Sequence, residues 1–289
     1  MKKLLATGLG IGALAIGVYT GVSFYTAKVA EAKINELIAE VDDDVVIEYS
    51  QVSVNPLSAD ITVKDVSVAP IEAPAQAVKI DQVIVREFDD KSDFPTVVDA
   101  SLKGIQFDIG EMNDPAFDSF MKQAGYDGTV ALNLDTKYEY DEAAGEEPLE
   151  QFRFGAKDLG YLEATLKLAN YTPDTPSTAG VTLHSAEIVY RDDSFAETVM
   201  ASMAAESNQD VEQFKTQLVS GISQNAQLFV SADDPTVMAV IEETKAFIED
   251  PKGFSVSANP QQPVSVIDLM SAGSPQVWVE MLNLEIEAN

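Results

Sequence analysis

The feature that most restricts this chain is an uncharged stretch near its amino terminus. Leu4–Ala27 comprises 24 residues without a charged side chain, and Lys2 and Lys3 precede it. As a helix this stretch would be about 36 Å long at about 1.5 Å per residue, which suffices to cross a hydrocarbon core of about 30 Å. We therefore predict a transmembrane signal anchor over residues 1–27.

Retention of this anchor is favoured over its removal as a signal peptide. A signal peptide usually has a shorter apolar region, with small residues at the third and first positions before the cleaved bond. Cleavage after Ala27 would place Tyr25 at the third position, and cleavage after Ala30 would place Lys28 there. The two lysines before the anchor favour a cytoplasmic amino terminus. We therefore expect a single-pass protein of a bacterial inner membrane, with the bulk of the chain in the periplasm.

Glycines in the predicted anchor raise the question of helix pairing. Gly8 and Gly12 are four residues apart, as are Gly17 and Gly21. Small residues at this spacing allow two spanning helices to approach closely, although glycine is also frequent in spanning helices generally. The pattern is consistent with a homodimer through these four glycines, but an anchor without specific pairing is favoured.

The charge balance restricts the partners of the chain. Lys and Arg number 18 against 48 Asp and Glu, which gives a formal net charge of −30 at pH 7, and all the acids follow residue 27. A surface this acidic repels nucleic-acid phosphates and anionic lipid headgroups, so nucleic-acid binding and peripheral membrane binding are excluded. Cysteine is absent, which rules out disulfides, thiolate metal sites and a cysteine nucleophile.

The period of the apolar residues changes twice along the predicted exported part. Residues 28–44 have helical spacing and predict a stalk helix. From Val45 the period becomes two, most clearly over Val130–Tyr140, so residues 45–192 are predicted to form an antiparallel β-rich region. After Ser194 the spacing becomes helical again, and residues 193–289 are predicted to be mainly helical and packed on the sheet.

These regions together predict an α+β fold, with an N-terminal transmembrane helix, an antiparallel β-rich meander and a helical C-terminal third. Phe254–Ala258 and Leu284–Ala288 are expected to be short closing strands. The acidic residues 141–148 are expected to form a loop and an internal boundary.

No combination of residues predicts catalysis, a cofactor or a metal. His184, the single histidine, lies in a predicted strand without the spacing of a zinc motif. The acidic pairs Asp192-Asp193 and Asp233-Asp234 precede predicted helices, where carboxylates accept hydrogen bonds from free N–H groups, so helix capping is favoured over metal binding. We therefore assign no catalytic, cofactor-binding or metal-binding residue. Trp278 and four methionines are predicted to lie in the core rather than at a ligand site; the methionines are Met200, Met203, Met238 and Met270.

The start of the predicted exported part resembles a group of bacterial envelope proteins. The predicted anchor and helix precede Val45–Pro70, VVIEYSQVSVNPLSADITVKDVSVAP, in which a strand, a short turn and a second strand are expected. This order looks like the opening of AsmA-like and YdgA-like (DUF945-type) envelope proteins. The resemblance implies an inner-membrane-anchored periplasmic protein and provides no functional residues to carry over.

Three functions are compatible with these patterns. The first is a non-enzymatic envelope protein that binds another protein or supports assembly, because a large exported fold lacks a catalytic motif. The second is binding or transfer of a lipid or another hydrophobic ligand in a groove of the sheet, which the one-sided apolar strands and the resemblance favour. The third is a carboxylate-based glycan hydrolase, which would need two carboxyl groups about 5 to 9.5 Å apart in one cleft.

Overall fold

The structure of the protein is a computed structural model with two compact units. It describes residues 27–40, 45–74, 77–88, 96–112, 119, 121–122, 125–126, 128–140, 146–170, 180–229, 235–272 and 275–288. The predicted anchor, with its four glycines Gly8, Gly12, Gly17 and Gly21, lies outside the described residues except for Ala27. The first unit comprises the described residues of Met1–Phe107, Val130–Phe154 and Ala169–Ser177, and the second those of Asp108–Thr129, Gly155–Leu168 and Thr178–Asn289.

The described residues of the first unit form an antiparallel sheet and a helix. Its strands follow the order β1-β3-β4-β5-β6-β7, and β2 pairs with β3 beside β1. The helix is α1, Ala27–Glu40, and the strands are β1 Val45–Glu48, β2 Gln51–Val54, β3 Ile61–Pro70, β4 Val78–Phe88, β5 Val97–Asp108, β6 Thr129–Glu139 and β7 Glu146–Ala156.

The core of the first unit consists mainly of valine and isoleucine, whose branched side chains pack well on a pleated surface. Ala30 and Ile34 of α1 are fully buried in this core. The hydroxyl of Tyr49 also donates a hydrogen bond of 2.8 Å to the Asn35 side chain. Ile38 of the same helix also packs against this core, whereas Val29 is 49% exposed.

The pleat of this sheet is interrupted halfway along β3 and β4. Val63 and Val66 are both 1% exposed in the same core, although they are three residues apart, and residues on one face of a regular strand are spaced by two. The register pairs Val63 with Val83 and Val66 with Ile80, so both strands change phase at the same place. Asp65 between them has a φ of 51°. The left-handed conformation thus keeps the buried valines on one side of the sheet.

Gly104 lies beside this interruption, in β5. Its φ is 67°, and a Cβ atom at this position would overlap the side chain of Asp81 in β4. The Gly104 N–H donates a hydrogen bond of 3.0 Å to the Asn133 side chain of β6. Glycine is therefore required here both by the backbone angle and by the close approach of the neighbouring strand.

The described residues of the second unit form both strands and helices. The strands are β8 Gly160–Ala169, β9 Thr182–Asp192, β10 Gly253–Ala258, β11 Val264–Ser265 and β12 Leu284–Ala288. The helices are α2 Phe195–Glu206, α3 Val211–Phe229, α4 Pro235–Glu249, α5 Val266–Ser271 and α6 Pro275–Leu282. A short 3-10 helix, Ile109–Met112, also belongs to this unit.

The strands of the second unit follow the order β8-β9-β10-β12, with β11 paired to β9. Phe254 of β10 lies opposite Tyr190 of β9 on one side and opposite Ala288 of β12 on the other. These three residues form an apolar row on one face of the sheet. Phe247 of α4 packs on it, with its ring centre 6.2 Å from that of Tyr190 and 5.6 Å from that of Phe254. Helices α2 and α3 form a separate small core of Met200, Ala204 and Phe214.

Individual elements agree well with the sequence analysis. The alternating residues Val130–Tyr140 form β6, and the predicted closing strands are β10 and β12. The apolar spacings after Ser194 correspond to α2, α3 and α4. In contrast, β7 begins at Glu146, inside the acidic stretch that was predicted to be a loop.

The predicted fold class was wrong. We predicted an α+β fold with an N-terminal transmembrane helix, a β-rich meander and a helical C-terminal third. Antiparallel strands instead dominate the described residues, twelve in number, because β10 and β12 return to β9 and continue its sheet to Ala288. No described helix is long and apolar enough to span a membrane.

Candidate interaction surface

The helices α5 and α6 carry a group of exposed apolar side chains near the carboxyl terminus. Pro275 is the first residue of α6, a position where proline loses no helical hydrogen bond. We call the following residues the carboxyl-terminal apolar patch: Ile267, Met270, Val277 and Trp278. Their exposed fractions are 44%, 74%, 40% and 46%, respectively.

One hydrogen bond joins the two helices of the patch. The indole nitrogen of Trp278 donates to the backbone oxygen of Leu269 over 2.9 Å. The bond satisfies the polar atom of the ring, and the same carbonyl oxygen also accepts a hydrogen bond of 3.2 Å from the N–H of Ala272, which follows α5. Ile267 and Met270 are three residues apart on α5, a spacing that places side chains on the same helix face. The four side chains thus lie on two joined helices and remain open to solvent in the described structure.

The chain around the patch carries acids without bases. Residues 253–289 contain four acidic residues and no Lys or Arg. Asp268 follows Ile267 in α5, and Glu280 lies three residues after Val277 in α6, a spacing that places these two side chains on one helix face; both acids are exposed. Asp268 and Glu280 are the charged residues of α5 and α6, and we call them the acidic margin of the patch.

A second surface of this unit is the polar face of its sheet. Ser257 in β10 pairs with Glu187 in β9 and with Glu285 in β12, so the three side chains point to the same side. Ser255 pairs with Glu287 in the next row. These residues line a shallow depression of about 340 Å³ together with Thr165, Ser185, Ala186 and Asn259.

This depression has the chemistry to attract a cation without the geometry of a metal site. Glu187, Glu285 and Glu287 are all exposed, and a surface with three carboxylates favours positive charge. Within the described part of the chain, no group of three potential ligands is close enough to hold a metal ion. The proton donor of a glycosidase is typically desolvated, which these exposed glutamates are not, so we do not assign hydrolysis to them.

A cluster of ion pairs occupies the polar face of the first unit. Lys103 Nζ lies 2.5 Å from Asp135 Oδ1, and the Ser101 hydroxyl donates to the same carboxylate oxygen over 2.5 Å. Arg86 pairs with Asp99 at 2.9 Å. Burial by itself would raise the pKa of Asp135, but the hydrogen bonds from Lys103 and Ser101 and the two nearby cations outweigh it, so this pKa lies below its ordinary value. Both oxygens of the Asp135 carboxylate accept hydrogen bonds from protein groups, which indicates a structural role.

Asp192 joins the end of β9 to the start of α2. Its Oδ1 atom accepts a hydrogen bond of 2.8 Å from the N–H of Ala196 and another from the hydroxyl of Tyr190. Burial, together with this acceptor and its negative charge, raises the pKa of Tyr190 above its ordinary value. The prediction that the Asp192-Asp193 pair caps a helix is confirmed for Asp192. The pair Asp233-Asp234 lies outside the described residues.

The apolar residues that we predicted to be in the core divide into two groups. Met200 is 7% exposed, so its prediction is confirmed. The core prediction was wrong for Met203, Met238, Met270 and Trp278, which are between 43% and 74% exposed. Helical spacing shows which residues share a face, but it does not show whether another element covers that face. His184 lies in β9, as predicted, and is half-buried.

A comparison with protein families gives one match for the second half of the chain. A family model described as "Uncharacterized protein" matches residues 153–289. The matched residues include the carboxyl-terminal apolar patch and the polar sheet face. No curated protein matched the chain.

Proposed function

We propose that this chain is a non-enzymatic protein of the bacterial cell envelope that binds another protein through its carboxyl-terminal apolar patch. The observation that carries the proposal is the exposure of Trp278 and Met270 on two helices joined by a hydrogen bond. Tryptophan and methionine are enriched in protein interfaces, and tryptophan is over-represented among the residues that dominate binding energy. Clusters of exposed apolar residues are uncommon on soluble surfaces that have no partner.

A further observation supports a binding role. The described groups whose pKa departs from the ordinary value are explained by structural contacts. Asp135 belongs to an ion-pair cluster, Tyr190 bonds to a helix-capping aspartate, and Tyr49 bonds to α1. A catalytic site would instead be expected to combine perturbed groups with an accessible cleft.

Location in the inner membrane, with the bulk of the chain in the periplasm, is part of the same proposal. It is supported by the uncharged stretch Leu4–Ala27, by the two lysines that precede it, and by the acidic remainder of the chain. A reporter fused to the carboxyl terminus should be active in the periplasm. A cytoplasmic reporter would contradict this location.

Site-specific photocrosslinking tests the binding role. A photoreactive amino acid replaces Met270 in one variant of the full chain and Glu206, an exposed residue of α2, in a control variant. We expect a discrete protein adduct from position 270 in cells, no such adduct from position 206, and loss of the adduct when Trp278→Ala is added. Identical adducts from both positions, or none from position 270, would contradict the proposal.

Binding of a lipid or another hydrophobic ligand is the second candidate. Leu162 in β8 and Ile188 in β9 are 38% and 43% exposed, so apolar side chains of two neighbouring strands in the second unit remain accessible. Native mass spectrometry of the full chain purified in detergent should detect a bound lipid if this function applies. A protein that is consistently free of lipid in several detergents would end this candidate.

A further inference from the structure

We infer that the partner of the carboxyl-terminal apolar patch is a basic amphipathic protein segment, with aliphatic side chains on one face and Lys or Arg beside them. This inference rests on the proposed binding function and adds the chemical class of the partner. It depends on the combination of exposed apolar residues with an exclusively acidic margin. Neither feature alone would specify a partner.

The margin of the patch determines the charge of the partner. Asp268 and Glu280 are exposed on the same two helices as the apolar residues, and residues 253–289 contain no Lys or Arg to neutralise them. The chain as a whole has a formal net charge of −30, so the long-range field also attracts cations. Charges at the rim of an interface select partners by repelling the wrong sign and by steering the right one. An acidic segment would therefore be disfavoured on this surface.

The apolar residues determine the shape of the partner. Met270 and Trp278 present a flexible thioether and a broad ring, and methionine-rich surfaces adapt to the aliphatic face of a bound helix. The hydrogen bond from Trp278 to Leu269 holds the indole between α5 and α6, which reduces the ordering that binding would require. Four apolar residues offer a limited contact area. A single helical face fits this area better than a large globular interface does.

Two other occupants fit the charge less well. A symmetric contact between two copies of the patch would bring Asp268 and Glu280 towards the same carboxylates of the other copy, and like charges oppose such a contact. A membrane surface with anionic headgroups would be repelled by the same acids. A protein segment that carries positive charge is instead attracted by Asp268 and Glu280, which repel both a second copy and anionic headgroups.

The single tryptophan of the chain makes the inference directly measurable. The chain has one Trp and nine Tyr, so selective excitation of indole reports on Trp278 only. The full chain in detergent is titrated with three designed peptides of equal length: a Leu/Lys amphipathic helix, a Leu/Glu helix of the same pattern, and a Leu/Lys peptide with scrambled order. We expect the first peptide to shift the Trp278 emission to shorter wavelength, and to bind at least about tenfold more tightly than the other two.

Charge variants test the role of the acidic margin. Asp268→Asn with Glu280→Gln removes two charges from α5 and α6, and Glu206→Gln with Glu212→Gln removes two from the exposed surface of α2 and α3. The first pair should weaken binding of the Leu/Lys helix about fivefold at low salt, and the second pair should change it less than about twofold. Met270→Gln in the otherwise unchanged chain should also weaken binding, because it removes apolar contact without a change of charge.

The outcomes separate this inference from the proposed function. Equal binding of the Leu/Lys and Leu/Glu helices, or equal effects of the two charge-variant pairs, would overturn the basic partner. Equal binding of the scrambled peptide would reduce the interaction to charge alone and would also overturn it. A shift of Trp278 with anionic vesicles and not with peptides would overturn it too and assign the patch to a membrane. If the photocrosslink from position 270 forms while no basic peptide binds, the proposed function stands and this inference fails.

Discussion

The Trp278 side chain donates its N–H to the backbone oxygen of Leu269, nine residues earlier, over 2.9 Å. This bond fixes α6 to the end of α5 while 46% of Trp278 remains exposed. The hydrogen bond holds the ring in place while its apolar surface stays exposed. Contact with a partner would therefore cost less side-chain entropy than it would for a freely rotating ring.

Replacement of Trp278 by phenylalanine should separate this positioning role from the apolar character of the ring. Trp278→Phe keeps an aromatic side chain and removes the donor to Leu269. We expect the free energy of unfolding to fall by about 0.5 to 1 kcal/mol, because the bond is exposed and its net contribution is small. Urea unfolding followed by circular dichroism measures this change. Val277→Ala, which affects a neighbouring exposed side chain, provides the control for loss of apolar contact, and a larger effect in that control would argue against the role of the bond.

The ion pair between Lys103 and Asp135 should make stability depend on pH in the acidic range. The pKa of Asp135 in the folded protein is below its ordinary value of 3.8, so its contribution is present above pH 3.8 and is lost as the pH falls through the folded value. Asp135→Asn should lower the free energy of unfolding by about 1.5 to 3 kcal/mol at neutral pH. The difference between the variant and the original chain should shrink below about pH 4. Thermal unfolding at a series of pH values checks this, and a constant difference across that range would contradict it.

Introduction of a side chain at Gly104 should destabilise the first unit. Gly104→Ala places a Cβ atom against Asp81 and forces alanine into a φ of 67°. Gly125 has a φ of 87°, and a Cβ atom added there would have no atom of the described residues within 4 Å. Gly125→Ala therefore reports the cost of the backbone angle alone, about 1 to 2 kcal/mol. We expect Gly104→Ala to cost more than this control in chemical unfolding. Equal costs would mean that β4 can move away from β5 without loss of stability.

Glu243 should protect the last strand from local opening. Its Oε2 atom accepts a hydrogen bond of 2.7 Å from the N–H of Ala288 in β12, which links α4 to the end of the sheet. Glu243→Ala should increase hydrogen exchange at Ala288 by about fivefold, since one hydrogen bond contributes about 1 kcal/mol. The neighbouring variant Glu242→Ala removes an exposed ion pair with Lys245 and should leave exchange at Ala288 unchanged.

Local elements could be predicted from this sequence, whereas their long-range pairing could not. The alternation at Val130–Tyr140 is sufficient for β6, since a strand with one buried face requires a period of two. The return of β10 to β9 depends instead on contacts between residues far apart in the chain, such as Phe254 and Tyr190. Nothing in the local period of either strand specifies that contact, so the predicted fold class missed that these strands extend the sheet.

For the interaction surface too, the local spacing could be predicted from the sequence, whereas the exposure of the residues could not. Spacing identifies Ile267 and Met270 as neighbours on one helix face, but a buried and an exposed apolar face have the same period. Two signals could have indicated exposure: the helices α5 and α6 are short, and the sequence from residue 253 onward has acids and no bases. Neither signal was decisive without the position of Trp278 relative to Leu269.

The acidic end of the sheet has a consequence for self-assembly of the protein. β12 is the last strand in the order of the second unit, and terminal strands tend to recruit identical strands into fibrous polymers. If two copies joined through β12 in antiparallel fashion, centred on Ile286, Glu285 of each would face Glu287 of the other. The resulting repulsion between carboxylates opposes pairing of two copies through this strand.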